Sequence, residues 1–303
     1  MEKIVIEGKR PLSGEVKISG SKNSALPIMA ATLLTDGPCV LENVPRLRDT
    51  LTMAKILKSL GKAVDFSGNT LKISSKNGLN PVADYDLVST MRGSFCVLGP
   101  LLAKLGHAKV SLPGGCVIGV RPVDLHLKGL RALGAKIEIE GGYIVTHTKG
   151  LKGAQIYLGG VFGSSVLATD NIMMAAVLAK GETIIESAAC EPEVEDLGNF
   201  LNSMGAKITG HGTPKITIKG VKELHGANYS ITSDRIEAAT FVLLAAATKS
   251  PITVTNANYS QLLVLVDKLE EYGAKLRVKD GGIDIKTPRK GKTVSVTTYP
   301  YPG

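Results

Sequence analysis

The residues best suited to chemistry lie in a glycine-rich stretch, PGGCVIGVRP. Cys116 follows two glycines there and precedes Arg121 by five positions. Glycines adopt backbone angles that other residues avoid, and they let a ligand approach closely. A thiolate is favoured beside a cation, and a neutral thiol can donate a proton. The stretch is therefore a candidate site for covalent or acid chemistry, although a free cysteine is also a common buried apolar residue.

Cationic side chains recur where helices are predicted to start. Lys22 and Asn23 stand in SGSKNSALP, Arg92 stands in STMRGSF, and Arg235 follows TSD later in the chain. The first N–H groups of a helix lack partners within the helix, and together with the helix dipole they favour a bound anion. The recurrence of a cation at one structural position predicts an anion-binding site.

A plainer interpretation of these helix starts stays open. Asn23 or Ser24 could simply cap the first helix, and Ser89 or Thr90 could cap the second, since short polar side chains accept hydrogen bonds from the first free N–H groups. A charged residue near a helix start is then only a solvated surface group.

The other cysteines and the histidines carry weaker signals. Cys39, Cys96 and Cys190 fall in predicted strands or apolar helices and are interpreted as buried. His126, in RPVDLHLKG, could act as a base, but a histidine at a helix start is more often structural. No spacing typical of metal ligands is present in the sequence, so no metal is expected.

Composition narrows the classes of partner. The net charge of +9 suits anionic ligands, and its cations are spread along a chain with only 4% aromatic residues, which favours anionic metabolites over nucleic acid. No apolar run is long enough to span a bilayer. The scattered cysteines and the absence of a secretory segment predict a cytoplasmic protein. The N-terminal MEKIVIEGK predicts a short alternating strand.

The chain repeats one pattern four times. Each copy has a helix of small apolar residues and a strand, then an amphipathic helix, a glycine and two strands. The glycines recur every 68–73 residues, at Gly61, Gly134, Gly205 and Gly273. A glycine just past a helix is the usual left-handed cap. The sequence therefore predicts an α/β (α+β) protein built from helix–strand–helix–strand–strand units.

These units must pack against one another. The small-residue helices are apolar on most faces, which is typical of full burial, whereas the amphipathic helices carry Lys and Glu on one side and belong outside. A sheet covered by helices on one face cannot bury its apolar side alone. Three units in pseudo-threefold arrangement around their buried helices would do so. Residues 22–229 are predicted to form one such complete domain, which leaves the fourth unit without partners.

Three stretches together resemble the enolpyruvyl transferases: SGSKNSALP, STMRGSF and PGGCVIGVRPVDLH. The resemblance runs over the whole chain in order. It implies an inside-out α/β barrel fold, with two domains of three units that close over a cleft. The chain of that fold starts in one domain, crosses to complete the other, and returns. Residues 1–21 and 230–303 would then share a second, incomplete domain.

The resemblance also implies a reaction. The enolpyruvyl group of phosphoenolpyruvate passes to the sugar 3-hydroxyl of UDP-N-acetylglucosamine with release of phosphate, the first committed step of peptidoglycan synthesis. The implied partners are these two small molecules, with neither nucleic acid nor membrane, and no cofactor is implied. The sequence predicts no oligomeric state.

Site residues are carried over by matching motifs. Cys116 would be the catalytic proton donor and the target of fosfomycin, with Lys22 as a second catalytic residue. Phosphoenolpyruvate would be bound by Lys22, Asn23, Arg92 and Arg121. The residues implied for UDP-N-acetylglucosamine are Asn23, Arg92, Arg121, Pro122, Val123, Asp124, Leu125, Ser165 and Val166.

The sequence departs from the family pattern in two places. Leu167 replaces a glycine of S-V-G-A-T, and Gly163 or Ser164 stands where a lysine is often found, which puts the roles of Ser165 and Val166 in doubt. The sequence also stops before a P-T-D segment whose aspartate would act as base, so a fragment is expected. Two alternatives follow: a non-catalytic ligand-binding fragment, or transfer to a different acceptor.

Overall fold

The computed structural model describes residues 3–8, 12–76, 78–114, 122–161, 163–279 and 281–302. Within those ranges the chain alternates short helices and strands. The α-helices are α1 Lys22–Ala31, α2 Arg48–Ser59, α3 Tyr85–Val88, α4 Leu98–Leu105, α5 Asp124–Ala132, α6 Val166–Ala176, α7 Pro192–Ser203, α8 Arg235–Thr248 and α9 Leu263–Tyr272. Short 3-10 helices occupy Thr32–Leu34, Arg92–Val97 and Tyr259–Leu262.

The strands of the described residues are all short. Their bounds are β1 Gly14–Lys17, β2 Cys39–Glu42, β3 Lys62–Ser67, β4 Thr70–Ser75, β5 Val82–Ala83, β6 His107–Ser111, β7 Lys136–Glu140, β8 Tyr143–His147, β9 Gln155–Tyr157, β10 Glu182–Glu186, β11 Lys207–Thr209, β12 Lys215–Lys219, β13 Asn228–Ser230, β14 Ile252–Thr255, β15 Lys275–Lys279 and β16 Gly282–Lys286.

These strands form four sheets of one topology. The orders are β13-β2-β4-β3, β5-β6-β8-β7, β9-β10-β12-β11 and β1-β14-β16-β15. In each sheet the first pair is parallel and the other two pairs are antiparallel. The predicted repeat is confirmed. Its leading strand, only two to four residues long, was missed because so short a run has no readable alternation.

Two leading strands are exchanged between sheets. Strand β1 precedes α1 along the chain but pairs with β14 of the fourth repeat. Strand β13 precedes α8 but pairs with β2 of the first repeat. The chain therefore enters the first three repeats after β1 and leaves them after β13.

The chain divides into two compact units. The three-sheet unit comprises Gly20–Thr232 with Tyr299–Pro302, and the one-sheet unit comprises the described residues of Met1–Ser19 and Ser233–Thr298. The interpretation of these regions as a complete and an incomplete domain stays a prediction.

Helix burial in the three-sheet unit follows the sequence pattern. Every residue of α1 from Ser24 to Ala31 is buried, and so is every residue of α6 from Ala168 to Ala176. Helix α2 buries one face and exposes lysines on the other. In this unit the predicted buried helices and exposed amphipathic helices are confirmed, whereas the predicted full burial is wrong for α8 of the one-sheet unit, which buries four residues of fourteen. The repeat glycines adopt left-handed angles, with φ of 100° at Gly61 and 104° at Gly273.

The predicted N-terminal strand is wrong for residues 3–8, which have no regular secondary structure. Ile4 is 90% exposed and Ile6 is 84% exposed. A strand is held by lateral hydrogen bonds, and none of the sheets of the described residues includes these positions. Alternation alone therefore does not make a strand here.

Candidate active site

The start of α1 presents Lys22 and Asn23. Ser21 is the N-cap: its backbone is extended and its Oγ accepts a hydrogen bond from the Ser24 amide at 3.4 Å. The interpretation of Asn23 or Ser24 as the cap is wrong, because both already lie in the first turn. Asn23 is exposed and Lys22 is half-buried, so neither side chain is committed to closing the helix end.

Lys22 is paired with a carboxylate of the second helix. Its Nζ lies 3.0 Å from Oδ2 of Asp49, in the first turn of α2, and both side chains are about one-third exposed. A pair this exposed contributes little to stability, on the order of 0–1 kcal/mol. The ammonium therefore stays available to an incoming anion that competes with Asp49.

Arg92 opens the 3-10 helix before α4. Met91 precedes it in extended conformation and makes no side-chain cap, so the expectation of a Ser89 or Thr90 cap is wrong. An added Cβ at Gly93 would lie 2.7 Å from Cδ1 of Leu26. Because Leu26 is one turn beyond Lys22, this close packing brings the two cationic helix starts towards each other.

The stretch 113–122, which contains Cys116, has both of its ends beside residues 89–97, here called the Arg92 segment. An added Cβ at Gly114 would lie 2.3 Å from the carbonyl oxygen of Ser89. At the other end, Nη2 of Arg92 donates to the carbonyl oxygen of Pro122 at 3.4 Å. Cys116 and Arg121 themselves lie outside the described residues, so their predicted roles stay predictions.

The four residues after Arg121 lead into α5. Asp124 is the first residue of that helix and is exposed, as is Pro122, while Val123 and Leu125 are half-buried. An added Cβ at Gly160 would lie 3.3 Å from Cδ1 of Leu125. This contact sets the start of α5 beside the segment that leads to α6.

Ser165 and Val166 form the start of α6. The Oγ of Ser165 caps the helix by accepting from the Ala168 amide at 3.3 Å. Val166 and Leu167 are half-buried and pack against the core. Ser165 therefore has a structural task of its own, and its predicted role towards a nucleotide stays a prediction.

His126 is part of the core. It is 1% exposed, and its Nδ1 lies 3.0 Å from Nδ2 of Asn171. Burial, with the positive charge of Arg92, lowers the pKa of His126 to about 3, so the ring is neutral. The Asn171 amide also donates to the Phe95 carbonyl at 3.0 Å and its Oδ1 accepts from the Gly99 amide at 2.6 Å. Asn171 thus ties the Arg92 segment to α5, and His126 is structural, as expected.

The described cysteines are poor nucleophiles. Cys39 and Cys96 are buried, and Cys190 is half-buried. Burial raises the pKa of the thiol in all three. A thiol with a raised pKa yields little thiolate at neutral pH. Their interpretation as apolar filling agrees with this environment.

Within 3–302, apart from the gaps stated above, no group of three or more His, Cys, Asp or Glu side chains could hold a metal ion. None of the helices there is both long enough and apolar enough to cross a membrane.

Buried helices under outward sheets, with cations at the helix starts, are the arrangement expected of an enolpyruvyl transferase. The family profile described as EPSP synthase (3-phosphoshikimate 1-carboxyvinyltransferase) matches residues 6–303, and the chain belongs to this family. It is similar to the UDP-N-acetylglucosamine 1-carboxyvinyltransferase of Methylacidiphilum infernorum, with 52% identity over all of this chain and 72% of that protein. A second such protein, from Carboxydothermus hydrogenoformans, is 51% identical over the same shares. The solved enolpyruvyl transferase NikO from Streptomyces tendae has a TM-score of 0.81 at 20% identity, over 94% of this chain and 68% of that one.

Sequence reasoning missed three residues of this region. Asp49 lies 27 positions from Lys22, and Asp196 lies 172 positions from its partner Ser24. Asn171 reaches its partners from a different repeat. The one available signal was polarity itself, since Asp170 and Asn171 interrupt an otherwise apolar helix.

Proposed function

We propose that this protein transfers the enolpyruvyl group of phosphoenolpyruvate to the 3-hydroxyl of UDP-N-acetylglucosamine and releases phosphate, the first committed step of peptidoglycan synthesis. The observation that carries the proposal is an identity of about one half, along the full chain, to proteins named for that reaction. The family profile and the two cationic helix starts support it.

In the proposed site, Lys22, Arg92 and Arg121 hold the phosphate and carboxylate of phosphoenolpyruvate. Hydrogen bonds from cations to these groups are short and strong, and they stabilise negative charge that develops during the reaction. Asn23, exposed in the first turn of α1, offers an amide to the sugar. The ion pair of Lys22 with Asp49 then serves as a resting arrangement that substrate displaces.

Cys116 is the proposed proton donor. The 3-hydroxyl adds to carbon two of phosphoenolpyruvate while carbon three gains a proton, which gives a tetrahedral ketal. Loss of phosphate and of a proton from carbon three restores the enol ether. Both ends of the stretch that holds Cys116 lie beside the Arg92 segment, which supports this assignment. A cation near a thiol also favours the thiolate left after proton transfer.

The nucleotide half of the acceptor is assigned to two helix starts. Pro122, Val123, Asp124 and Leu125 would line the uridine pocket together with Arg121. Ser165 and Val166 would border it from α6, since Leu125 packs beside Gly160 on the approach to that helix. We propose the cytoplasm as the location and fosfomycin as an inhibitor that acts at Cys116.

Phosphate release tests the proposed reaction. With phosphoenolpyruvate and UDP-N-acetylglucosamine together, we expect inorganic phosphate and a carboxyvinyl product in equal amounts. Replacing the acceptor with 3-phosphoshikimate should give none, and product from that acceptor would support transfer to a different substrate. Binding of UDP-N-acetylglucosamine without any phosphate release would support the ligand-binding alternative.

Alkylation tests the proposed role of Cys116. In iodoacetamide or fosfomycin, Cys116 should be modified at least about tenfold faster than Cys39, because buried thiols with a raised pKa react slowly. Peptide mass spectrometry reads the label at each cysteine. Phosphoenolpyruvate together with UDP-N-acetylglucosamine should slow labelling of Cys116 alone. Preferential labelling of Cys39 would contradict the assignment.

A further inference from the structure

Asp196 on α7 is a buried carboxylate that the proposed reaction does not use. Its side chain lies in the three-sheet unit and is 7% exposed. Burial raises the pKa of this carboxyl, and hydrogen bonds from Ser24, Tyr229 and Thr232 act in the opposite direction. A buried carboxylate is costly unless several donors satisfy it, so its partners show what it holds.

Its partners lie on the first turn of α1, in β13 and just after β13. Oδ2 accepts from the hydroxyl of Ser24 and, at 3.2 Å, from the backbone amide of Thr232. Oδ1 accepts from the hydroxyl of Tyr229 at 2.6 Å. Ser24 is fully buried and stands two residues after Lys22. One carboxylate therefore joins the helix start to the point where the chain leaves the three-sheet unit.

The same residues close a ring of hydrogen bonds. The Ser21 amide donates to the Thr232 carbonyl at 2.8 Å, and the Ser24 amide donates to Oγ of Ser21 at 3.4 Å. With Asp196 bonded to both Ser24 and Thr232, the ring comprises Ser21, Ser24, Thr232 and Asp196. We call this the Asp196 ring. Every member apart from Thr232 is buried.

Lys22 lies in the turn that the ring encloses. Lys22 and Asn23 are enclosed between two of its members, Ser21 and Ser24. The hydrogen bond that caps the helix at Ser21 is long, and both side chains of the ion pair between Lys22 and Asp49 are about one-third exposed, so both interactions are weak. The charge-assisted bond from Ser24 to Asp196 is buried and stronger. Displacement of a substrate-holding group by about 1 Å can cost on the order of 100-fold in rate.

We propose that Asp196 is a positioning residue for the phosphoenolpyruvate site, which acts through Ser24 and Thr232 to fix the first turn of α1 and with it Lys22. This inference rests on the proposed function, because Lys22 has its role there. Asp196 itself touches no substrate. Its effect falls on the anion held by Lys22 and not on the uridine pocket, which other helix starts form.

The test compares Ser24→Ala, Asp196→Asn and the double variant with wild type. Each single change should raise KM for phosphoenolpyruvate about tenfold and leave the affinity for UDP within about twofold. The double variant should lose no more than the worse single variant, since both remove one linkage. Glu195→Gln, which removes a charge from the neighbouring exposed position of α7, is the matched control and should change neither value by more than about twofold.

The rate of amide hydrogen exchange is a second measurement, and it does not require the enzyme to be active. Exchange at the Ser24 and Thr232 amides should become about tenfold faster in Asp196→Asn and in Ser24→Ala, but not in Glu195→Gln. If wild type releases no phosphate, the proposed function fails while this exchange still decides whether Asp196 holds the turn. Unchanged exchange, or losses that multiply to about 100-fold in the double variant, would overturn the inference. Ser24→Ala leaves two donors on the carboxylate, so it keeps the test decisive if Asp196→Asn does not fold.

Discussion

Helices α6 and α8 open equivalent repeats and have similar apolar sequences, yet their surroundings differ. Helix α6 buries every residue from Ala168 to Ala176. Helix α8 buries only Ala238, Val242, Ala245 and Ala246. A helix that is apolar on most faces requires neighbours on most sides. In the three-sheet unit other repeats provide them, whereas in the one-sheet unit a single sheet covers one side.

The exposed side of α8 carries large apolar residues. Ile236 is 50% exposed and Leu243 is 46% exposed, and Leu263 on α9 is 54% exposed. Large apolar side chains with this much exposure stand out on helices whose sequence is largely apolar. The sequence pattern therefore specifies which helices require burial, while the number of repeats packed around a helix decides whether it is buried.

The largest expected contrast is between a buried leucine of the three-sheet unit and an exposed leucine of the one-sheet unit. Leu101→Ala in α4, where the side chain is fully buried, should lower the free energy of unfolding by about 2–5 kcal/mol, because it leaves a cavity. Leu243→Ala in α8 should cost less than about 1 kcal/mol, because its side chain already meets solvent. Urea unfolding of both variants measures the difference. Equal losses would show that α8 is as fully packed as α4.

Asp170 is a carboxylate in the buried interior of the three-sheet unit. It is fully buried in α6, and neither of its carboxylate oxygens has a hydrogen-bond partner among the described residues. Burial first, and then the charges of Glu193 and Glu191, raise the pKa of Asp170 well above 3.8. The folded state therefore binds the proton more tightly than the unfolded state. Stability is lost as pH rises from about 4 towards the folded pKa, by up to about 1.4 kcal/mol per pH unit.

Asp170→Asn should remove most of this slope. We expect a flatter dependence of the urea midpoint on pH between about 4 and 8, with a higher midpoint at the alkaline end. Asp65→Asn removes an exposed carboxylate from β3 and is the matched control. Asp196, whose pKa is raised by burial, contributes in the same direction and leaves a smaller residual slope. Stability that rises with pH through this window would contradict the assignment.

Proteolysis compares the two units directly. Limited trypsin or thermolysin digestion should cut within 233–298 about tenfold faster than within 20–232, because a unit with few buried contacts opens more often. The cleavage sites are read by mass spectrometry over time. Cuts that begin in the three-sheet unit would reverse the expected order.

Much of the fold was predictable because the repeats are long enough to show a period. The glycine after each amphipathic helix and the apolar faces of α1 and α6 are local signals, and both were read correctly. The exchange of β1 and β13 was not visible in the residues, since strands of three or four residues carry no alternation. Which sheet they join is decided by tertiary pairing.

The candidate site was predictable in its cations but not in what supports them. Lys22 and Arg92 stand at helix starts, as their local sequence indicates. The cap at Ser21 was missed because the backbone bond of Ser21 to Thr232 fixes where the helix begins, and that contact joins distant parts of the chain. Asp49 and Asp196 were missed for the same reason. Each bonds to a residue on a different element, and such partners have no characteristic spacing along the sequence.

A charge placed on the exposed side of α8 should have the smallest effect. Leu243→Lys should change the free energy of unfolding by less than about 0.5 kcal/mol if the exposed side of α8 meets only solvent. Leu101→Lys is the contrasting control, since a lysine in the buried face of α4 has no partner and should prevent folding. Sedimentation at several protein concentrations should show whether Leu243→Lys weakens association through α8. A larger loss of stability that grows with protein concentration would mean that this face is covered in solution, because stability gained by association depends on concentration.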